Sequence, residues 1–229
     1  MDNDSPNRPT EIAVLLSGRG SNFAALLAAI DAGRVNGRIC VVLSDKAQAA
    51  GLETARQHGI PTVVVPRRPK ERDSTAFNEA LVAALQPFNP ELIVLAGFMR
   101  VVGKRFIDAF PHRIINIHPS LLPSFRGLHV HEQVLTAGVG FSGCTVHFVE
   151  EEVDAGAIIA QAVVPVLEHD SAETLAARVL AAEHQLLPRV VAGLCTGAIR
   201  YDGTTVTRAP ELAPEDRPPL FSLNISERR

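Results

Sequence analysis

An amide and an imidazole stand two residues apart in the run Ile114-Ile115-Asn116-Ile117-His118, just before Pro119. The β-branched residues around them favour a strand, and alternation along a strand turns residues 116 and 118 to one face. The carboxamide is a neutral hydrogen-bond donor and the imidazole titrates near neutrality, a pair suited to chemistry at a carbonyl. A lone histidine on an apolar strand is often a satisfied core residue. Here the polar neighbour at same-face spacing, and a proline that removes a donor and stops the sheet, point toward function.

Other polar groups are less decided. Asp154 closes the acidic turn Glu150-Glu151-Glu152-Val153-Asp154-Ala155-Gly156, where an aspartate either faces water or serves a site. His147 alternates within GCTVHFV (143–149) and either lines the same pocket or fills it. His129 and His131 together with His118 match no familiar metal-ligand spacing, and no cysteine lies nearby, so no metal is expected.

The elements that must position these groups follow a regular rhythm. Ile12 to Leu16 reads as a strand buried on both faces and runs into Ser17-Gly18-Arg19-Gly20-Ser21-Asn22, then a helix from Phe23 to Ala32. Strand, glycine-rich turn and helix N-terminus make an anion site, because free backbone N–H groups and the positive end of the helix dipole converge there. The loop matches neither the dinucleotide nor the Walker pattern, so a tight turn without a ligand is the alternative. Strands at Ile39–Leu43, Thr62–Val65 and Leu92–Ala96 alternate with helices at Ala47–His58 and Ser74–Leu85. This predicts an α/β chain with a single doubly wound, mostly parallel sheet and helices on both faces, whose ligands collect at the carboxyl ends of the strands. Residues 17–22, 97–100 and 116–118 all fall at such ends. Further on, Val130–Ala137 reads as a helix, Gly143–Val149 and Ala157–Val166 as strands, and Ser171–Leu187 as a helix capped by Ser171. The expected organisation is a disordered segment over 1–10, one domain over 11–200, and a loosely attached tail over 201–229 with prolines at 210, 214, 218 and 219.

Composition excludes several classes. Of 229 residues, 46% are hydrophobic and 21% charged, with a formal net charge of -3, so there is no global attraction to nucleic acid or anionic membrane, and anions must be bound locally. Cys40, Cys144 and Cys195 are scattered and read as reduced thiols. The polar N-terminus lacks the core of a signal peptide, and no apolar run approaches the roughly 20 residues that span a bilayer. A cytoplasmic location is expected.

Taken in order, SGRGSN at 17–22, VLAGFMR at 94–100, NIHPSLLPSFRG at 116–127 and HFVEEEVDAG at 147–156 resemble the phosphoribosylglycinamide formyltransferases, the folate-dependent family of purine synthesis. The resemblance covers residues 11–200 and implies a Rossmann-like formyltransferase fold. It implies transfer of a formyl group from 10-formyltetrahydrofolate, a co-substrate, to the amine of glycinamide ribonucleotide. On the family's pattern the catalytic set is Asn116, His118 and Asp154. Gly20, Ser21 and Asn22 hold the ribonucleotide phosphate, and Glu183 binds the same substrate. Folate lies along Met99, Arg100, Val101 and Val102, beside Asn116, and against Glu150, Glu151, Glu152, Val153 and Asp154. Neither metal, nucleic acid nor membrane is implied, and the chain is expected to act as a monomer or homodimer. In this scheme Asn116 donates to the oxygen that gains charge, while Asp154 keeps His118 protonated.

Two positions depart from the family. It often carries an arginine for folate's glutamate tail three residues before the aromatic of the third helix; here Ser74 precedes Phe77, and Arg72 is the candidate substitute. Arg126-Gly127 is similar to methionyl-tRNA formyltransferase, whose RNA-binding domain is longer than the tail after Tyr201. Formyltetrahydrofolate deformylase shares the same core behind an N-terminal regulatory domain. A non-enzymatic nucleotide-binding module leaves the pairing of Asn116 with His118 unexplained.

Overall fold

Residues 8–67 and 75–209 are described by a computed structural model. Arg72 and Ser74, most of the expected N-terminal segment and the four tail prolines lie outside the described residues. Seven strands form one sheet: β1 (Thr10–Leu16), β2 (Gly37–Ser44), β3 (Thr62–Val64), β4 (Leu92–Leu95), β5 (Ile114–His118), β6 (Phe141–Phe148) and β7 (Ile158–Pro165). Their spatial order is β3-β2-β1-β4-β5-β6-β7. The first five are parallel, and β6 runs antiparallel to both β5 and β7, giving the mostly parallel sheet expected.

Ile12 to Leu16 are all 0% exposed because each face of β1 is covered. Ile12, Val14 and Leu16 pack with Phe23 and Leu26 of α1 (Ser21–Asp31), Leu52 of α2 (Ala50–Gln57), Val134 of α5 (Val130–Ala137) and Leu175 of α6 (Ala172–Cys195). Ala13 and Leu15 pack on the other face with Phe77 and Leu81 of α3 (Thr75–Leu85) and Phe106 of α4 (Lys104–Ala109). Two cores, one on each side, explain why the strand carries no alternation. No helix among the described residues is long and apolar enough to cross a membrane.

Several elements differ from the sequence reading. The short helix α4 was not anticipated; six residues with three apolar side chains carry little periodicity, and burial of Phe106 against α3 holds it. Helix α6 does not stop at Leu187 but continues through Pro188 to Cys195. A proline inside a helix loses one hydrogen bond and typically costs about 3 kcal/mol. Leu187, Val190 and Val191 are buried in the core on either side of it, and that burial offsets the loss. The segment read as a loose tail from Tyr201 begins with a hairpin, β8 (Ile199–Tyr201) and β9 (Val206–Arg208). It is fastened by Tyr201 stacked on Phe148 and by Arg208 donating to the Ile159 carbonyl. At the other end, Arg8 pairs with Glu91, and Thr10 already belongs to β1.

The β6–β7 crossing is tight at one point. A Cβ on Gly143 would sit 1.9 Å from the Ala162 carbonyl oxygen and 2.8 Å from Leu121 Cδ2. Gly143→Ala is therefore expected to lower stability by about 1–3 kcal/mol or more, as overpacking against backbone does. A chemical-denaturation midpoint equal to that of the parent chain would contradict this packing.

Candidate active site

The carboxyl ends of β1, β4 and β5 meet as the sequence rhythm predicts. Ser17, just after β1, donates its backbone N–H to the Gly97 carbonyl, and its hydroxyl accepts from the Met99 N–H at 2.8 Å. Beside this junction lies a cleft of about 480 Å³. Its walls include Met99 to Val102, Asn116, His118, His147 and the whole turn from Glu150 to Asp154. All ten residues expected to contact folate thus lie on one cleft.

Asn116 and His118 share a face of β5, and pairing with β6 sets His147 opposite Asn116 and Thr145 opposite His118. His147 is 2% exposed, and burial, the largest influence, pushes its imidazole below the ordinary value of 6.5. Its Nδ1 lies 2.8 Å from the Phe148 carbonyl, which can only accept, so the single proton of the neutral ring sits there. Nε2 is then an acceptor, 3.2 Å from Asn116 Nδ2. His147 therefore orients the carboxamide and leaves its second N–H available to the cleft. Asp154 Oδ1 lies 3.8 Å from Nε2, but the neutral ring makes no ion pair with it.

His118 is held on both sides. Nε2 is 3.0 Å from the Phe125 carbonyl and Nδ1 is 3.4 Å from Asp154 Oδ2. Both partners are acceptors, so an N–H on either ring nitrogen meets one. Asp154 reaches it from the left-handed region, φ 53°, which aspartate tolerates better than most side chains. The Gly127 N–H fixes the same carboxylate at 2.9 Å. The loop between His118 and Gly127 is pinned to β6 by Thr145, whose hydroxyl donates to Ser120 and accepts from the Leu122 N–H.

The residues expected at the phosphate form a second group outside the cleft walls. Gly20, φ 75°, is the N-cap of α1, and a Cβ there would meet Gly51 Cα at 2.9 Å. No side chain caps this helix and its first turn has no acidic residue, which leaves its end electropositive. Asn22 Nδ2 donates to Glu183 Oε2 at 2.6 Å. Both residues are 7% exposed; burial pushes the Glu183 carboxyl up and the Asn22 hydrogen bond opposes it. Asn22 Oδ1 is buried and has no partner among the described residues.

Two contributors were not legible. His147 was left open because its facing residue depends on the β5–β6 register. Asp45, 0% exposed at its side chain, holds Arg100 Nε at 2.6 Å, a pairing across 55 positions with no local signal. Among the described residues no group of three or more His, Cys, Asp or Glu is placed to hold a metal ion. A larger cavity, about 650 Å³, opens at the amino ends of β1, β2 and β4. Its carboxylates are matched in the pairs Arg8–Glu91 and Arg38–Glu11, and it lacks the amide and imidazole chemistry of the cleft.

Residues 10–191 match the family model described as formyl transferase. The chain is 45% identical to the bovine (Bos taurus) trifunctional purine biosynthetic protein adenosine-3 over 84% of its own length and 19% of that protein's. It thus spans less than a fifth of the trifunctional relatives it matches. It is 40% identical to the phosphoribosylglycinamide formyltransferase of Escherichia coli (strain K12), over 82% of this chain and 89% of that one. Its fold superposes on the crystal structure of glycinamide ribonucleotide transformylase 1 from Symbiobacterium toebii with a TM-score of 0.83. That match has 45% identity and covers 87% of this chain and 94% of that chain.

The buried neutral His147 links stability to pH. Its folded value is lowered, so the stability it contributes is present above 6.5 and is lost as pH falls through the lower folded value. His147→Phe strands the Asn116 donor and the Phe148 carbonyl, which should cost about 1–3 kcal/mol near neutrality. Thermal midpoints of parent and variant should therefore converge as pH drops below 6.5. Parallel curves would show that the ring is not held neutral.

Proposed function

Because the chain belongs to the formyl transferase family, we propose that it transfers the formyl group of 10-formyltetrahydrofolate to the amine of glycinamide ribonucleotide. The observation that carries this reading is the convergence of an oriented amide donor, Asn116, and the His118–Asp154 pair on one cleft. The E. coli relative, matched over 89% of its length, is named for this reaction.

In the proposed step the amine attacks the formyl carbon directly, forming a tetrahedral intermediate with no covalent enzyme adduct. Negative charge grows on the formyl oxygen, where the remaining Asn116 N–H donates; one such donor is typically worth about 2.7–4 kcal/mol. Asp154, against Nδ1 of His118, orients the ring. The attacking nitrogen loses its proton and the folate nitrogen gains one as the C–N bond to the formyl carbon breaks, so protons balance over the turnover.

Gly20, Ser21 and Asn22 at the start of α1 suit the ribonucleotide phosphate. Glu183 and the unpartnered oxygen of Asn22 offer acceptors to the rest of that substrate. Folate fits the cleft. Met99 and Val101 are more than half exposed at its wall and supply apolar surface, with Val102 buried behind them. Arg100, braced by Asp45, leaves its two terminal nitrogens for an anionic tail. Glu150 to Asp154 close the other side. The reading is of a cytoplasmic enzyme on small molecules, a monomer or homodimer, working without metal, nucleic acid or membrane.

Formyl loss from 10-formyltetrahydrofolate, measured with and without glycinamide ribonucleotide, tests the assignment. Amine-dependent loss is expected; equal loss to water would make the chain a deformylase instead. Asp154→Asn should lower kcat by about 10²–10⁴, the range of general acid–base assistance, with the circular dichroism spectrum unchanged. A folded variant with near-normal kcat would remove Asp154 from the mechanism.

A further inference from the structure

The turn that carries Asp154 is tied down from an unexpected direction. Its two ends meet where the Phe148 N–H donates to the Ala157 carbonyl at 2.9 Å. Gly156 crosses so close that a Cβ there would lie 2.0 Å from the Phe148 oxygen and 3.3 Å from Glu150 Cγ. The Glu150 stem therefore lies across the far end of its own turn. Its carboxylate accepts the Tyr201 hydroxyl at 2.8 Å. Tyr201 comes from β8, and its ring stacks on Phe148 at 4.3 Å and 18° while His112 meets it edge-on at 5.3 Å.

Two further ties hold the turn. Arg126 and Glu152 pair at 2.7 Å with both side chains exposed, a geometry worth little. The Gly127 N–H grips only Asp154 itself. Asp154 sits at φ 53°, a conformation that persists only when its surroundings impose it. Burial, followed by the Glu150 contact, pushes the Tyr201 phenol up to about 12, so its hydroxyl stays a donor at neutral pH.

We propose that Tyr201 is a positioning residue for the folate-binding turn. Stacked on Phe148 and bonded to Glu150, it sets the base of the turn from which Asp154 reaches His118. Phe148 also carries the carbonyl that fixes the proton on His147, so one ring supports both halves of the site. This rests on the formyl-transfer reading. Tyr201 touches no substrate in that scheme, and the phosphate cradle at Gly20 to Asn22 is independent of it. Its loss should fall on folate and not on the ribonucleotide.

Tyr201→Phe keeps the ring and removes the hydroxyl. It should raise both the KM and the dissociation constant for 10-formyltetrahydrofolate by about three- to tenfold, the size of one ordinary hydrogen bond. KM for glycinamide ribonucleotide and the melting temperature should stay at parent values. Glu150→Ala should weaken folate binding at least as much, and the double variant no further than Glu150→Ala alone, because both changes delete one interaction. Glu150→Gln, which retains an acceptor oxygen, should recover most of the loss.

The chain has one tyrosine and no tryptophan, so tyrosine emission reports Tyr201 alone and should change in Glu150→Ala, which removes the partner of its hydroxyl. Parent-like folate affinity in Tyr201→Phe, additive effects in the double variant, or unchanged emission would each overturn the proposal. If the parent chain itself fails to formylate the ribonucleotide, the functional reading falls, while emission and folate affinity still decide the clamp.

Discussion

The antiparallel pairing of β5 with β6 places Asn116 opposite His147, and the chemistry of the cleft depends on that register. From it follows a chain of hydrogen bonds with one direction. The Phe148 carbonyl holds the proton on His147 Nδ1, the bare Nε2 accepts from Asn116, and the carboxamide is left with one N–H for the cleft. Burial keeps the ring neutral, and neutrality is what makes it an acceptor. A slip of one residue would turn Asn116 and His118 to the opposite face and leave a polar pair in the core. Thr145, two residues before His147 and on the same face, pins the loop that returns Phe125 to His118 and Gly127 to Asp154.

Around that pairing the doubly wound sheet does what such sheets do, delivering loops to one edge. Ser17 joins the ends of β1 and β4, so the glycine-rich loop before α1 and the cleft wall at Met99 hold a common frame. Helix α6 contributes from the far end of the chain. Its Glu183 meets Asn22, 161 positions away, across the core shared by α1 and α6. That contact needs α6 docked along its length, and apolar burial around Pro188 keeps the helix intact where local preference would end it.

The parallel strands were legible because their apolar runs have no polar face to confuse them, and both cores confirm the cause. Asn116 and His118 were legible from spacing alone, since same-face alternation is a local property. His147 and Asp45 were not. Their partners are set by register and topology, which no short window contains. Asp154 is intermediate: its turn could be read from composition, but its approach to His118 depends on the loop from 119 to 127 and on a positive φ. The hairpin after α6 was missed for a different reason. Its three-residue strands are held by Tyr201 on Phe148 and Arg208 on Ile159, contacts to β6 and β7 that prolines and mixed charge downstream disguised. The family resemblance implied the roles proposed for Glu183 and Asp154, and geometry supplied their neighbours.

The measurement closest to the central claim is the protonation of His147, read by two-bond nitrogen–proton correlation NMR of the imidazole rings near neutral pH. The account predicts a neutral ring for His147 with its proton on Nδ1 and an unprotonated Nε2 that senses Asn116→Ala. A doubly protonated His147, or a neutral ring with its proton on Nε2, would contradict the orientation of Asn116 on which the site depends.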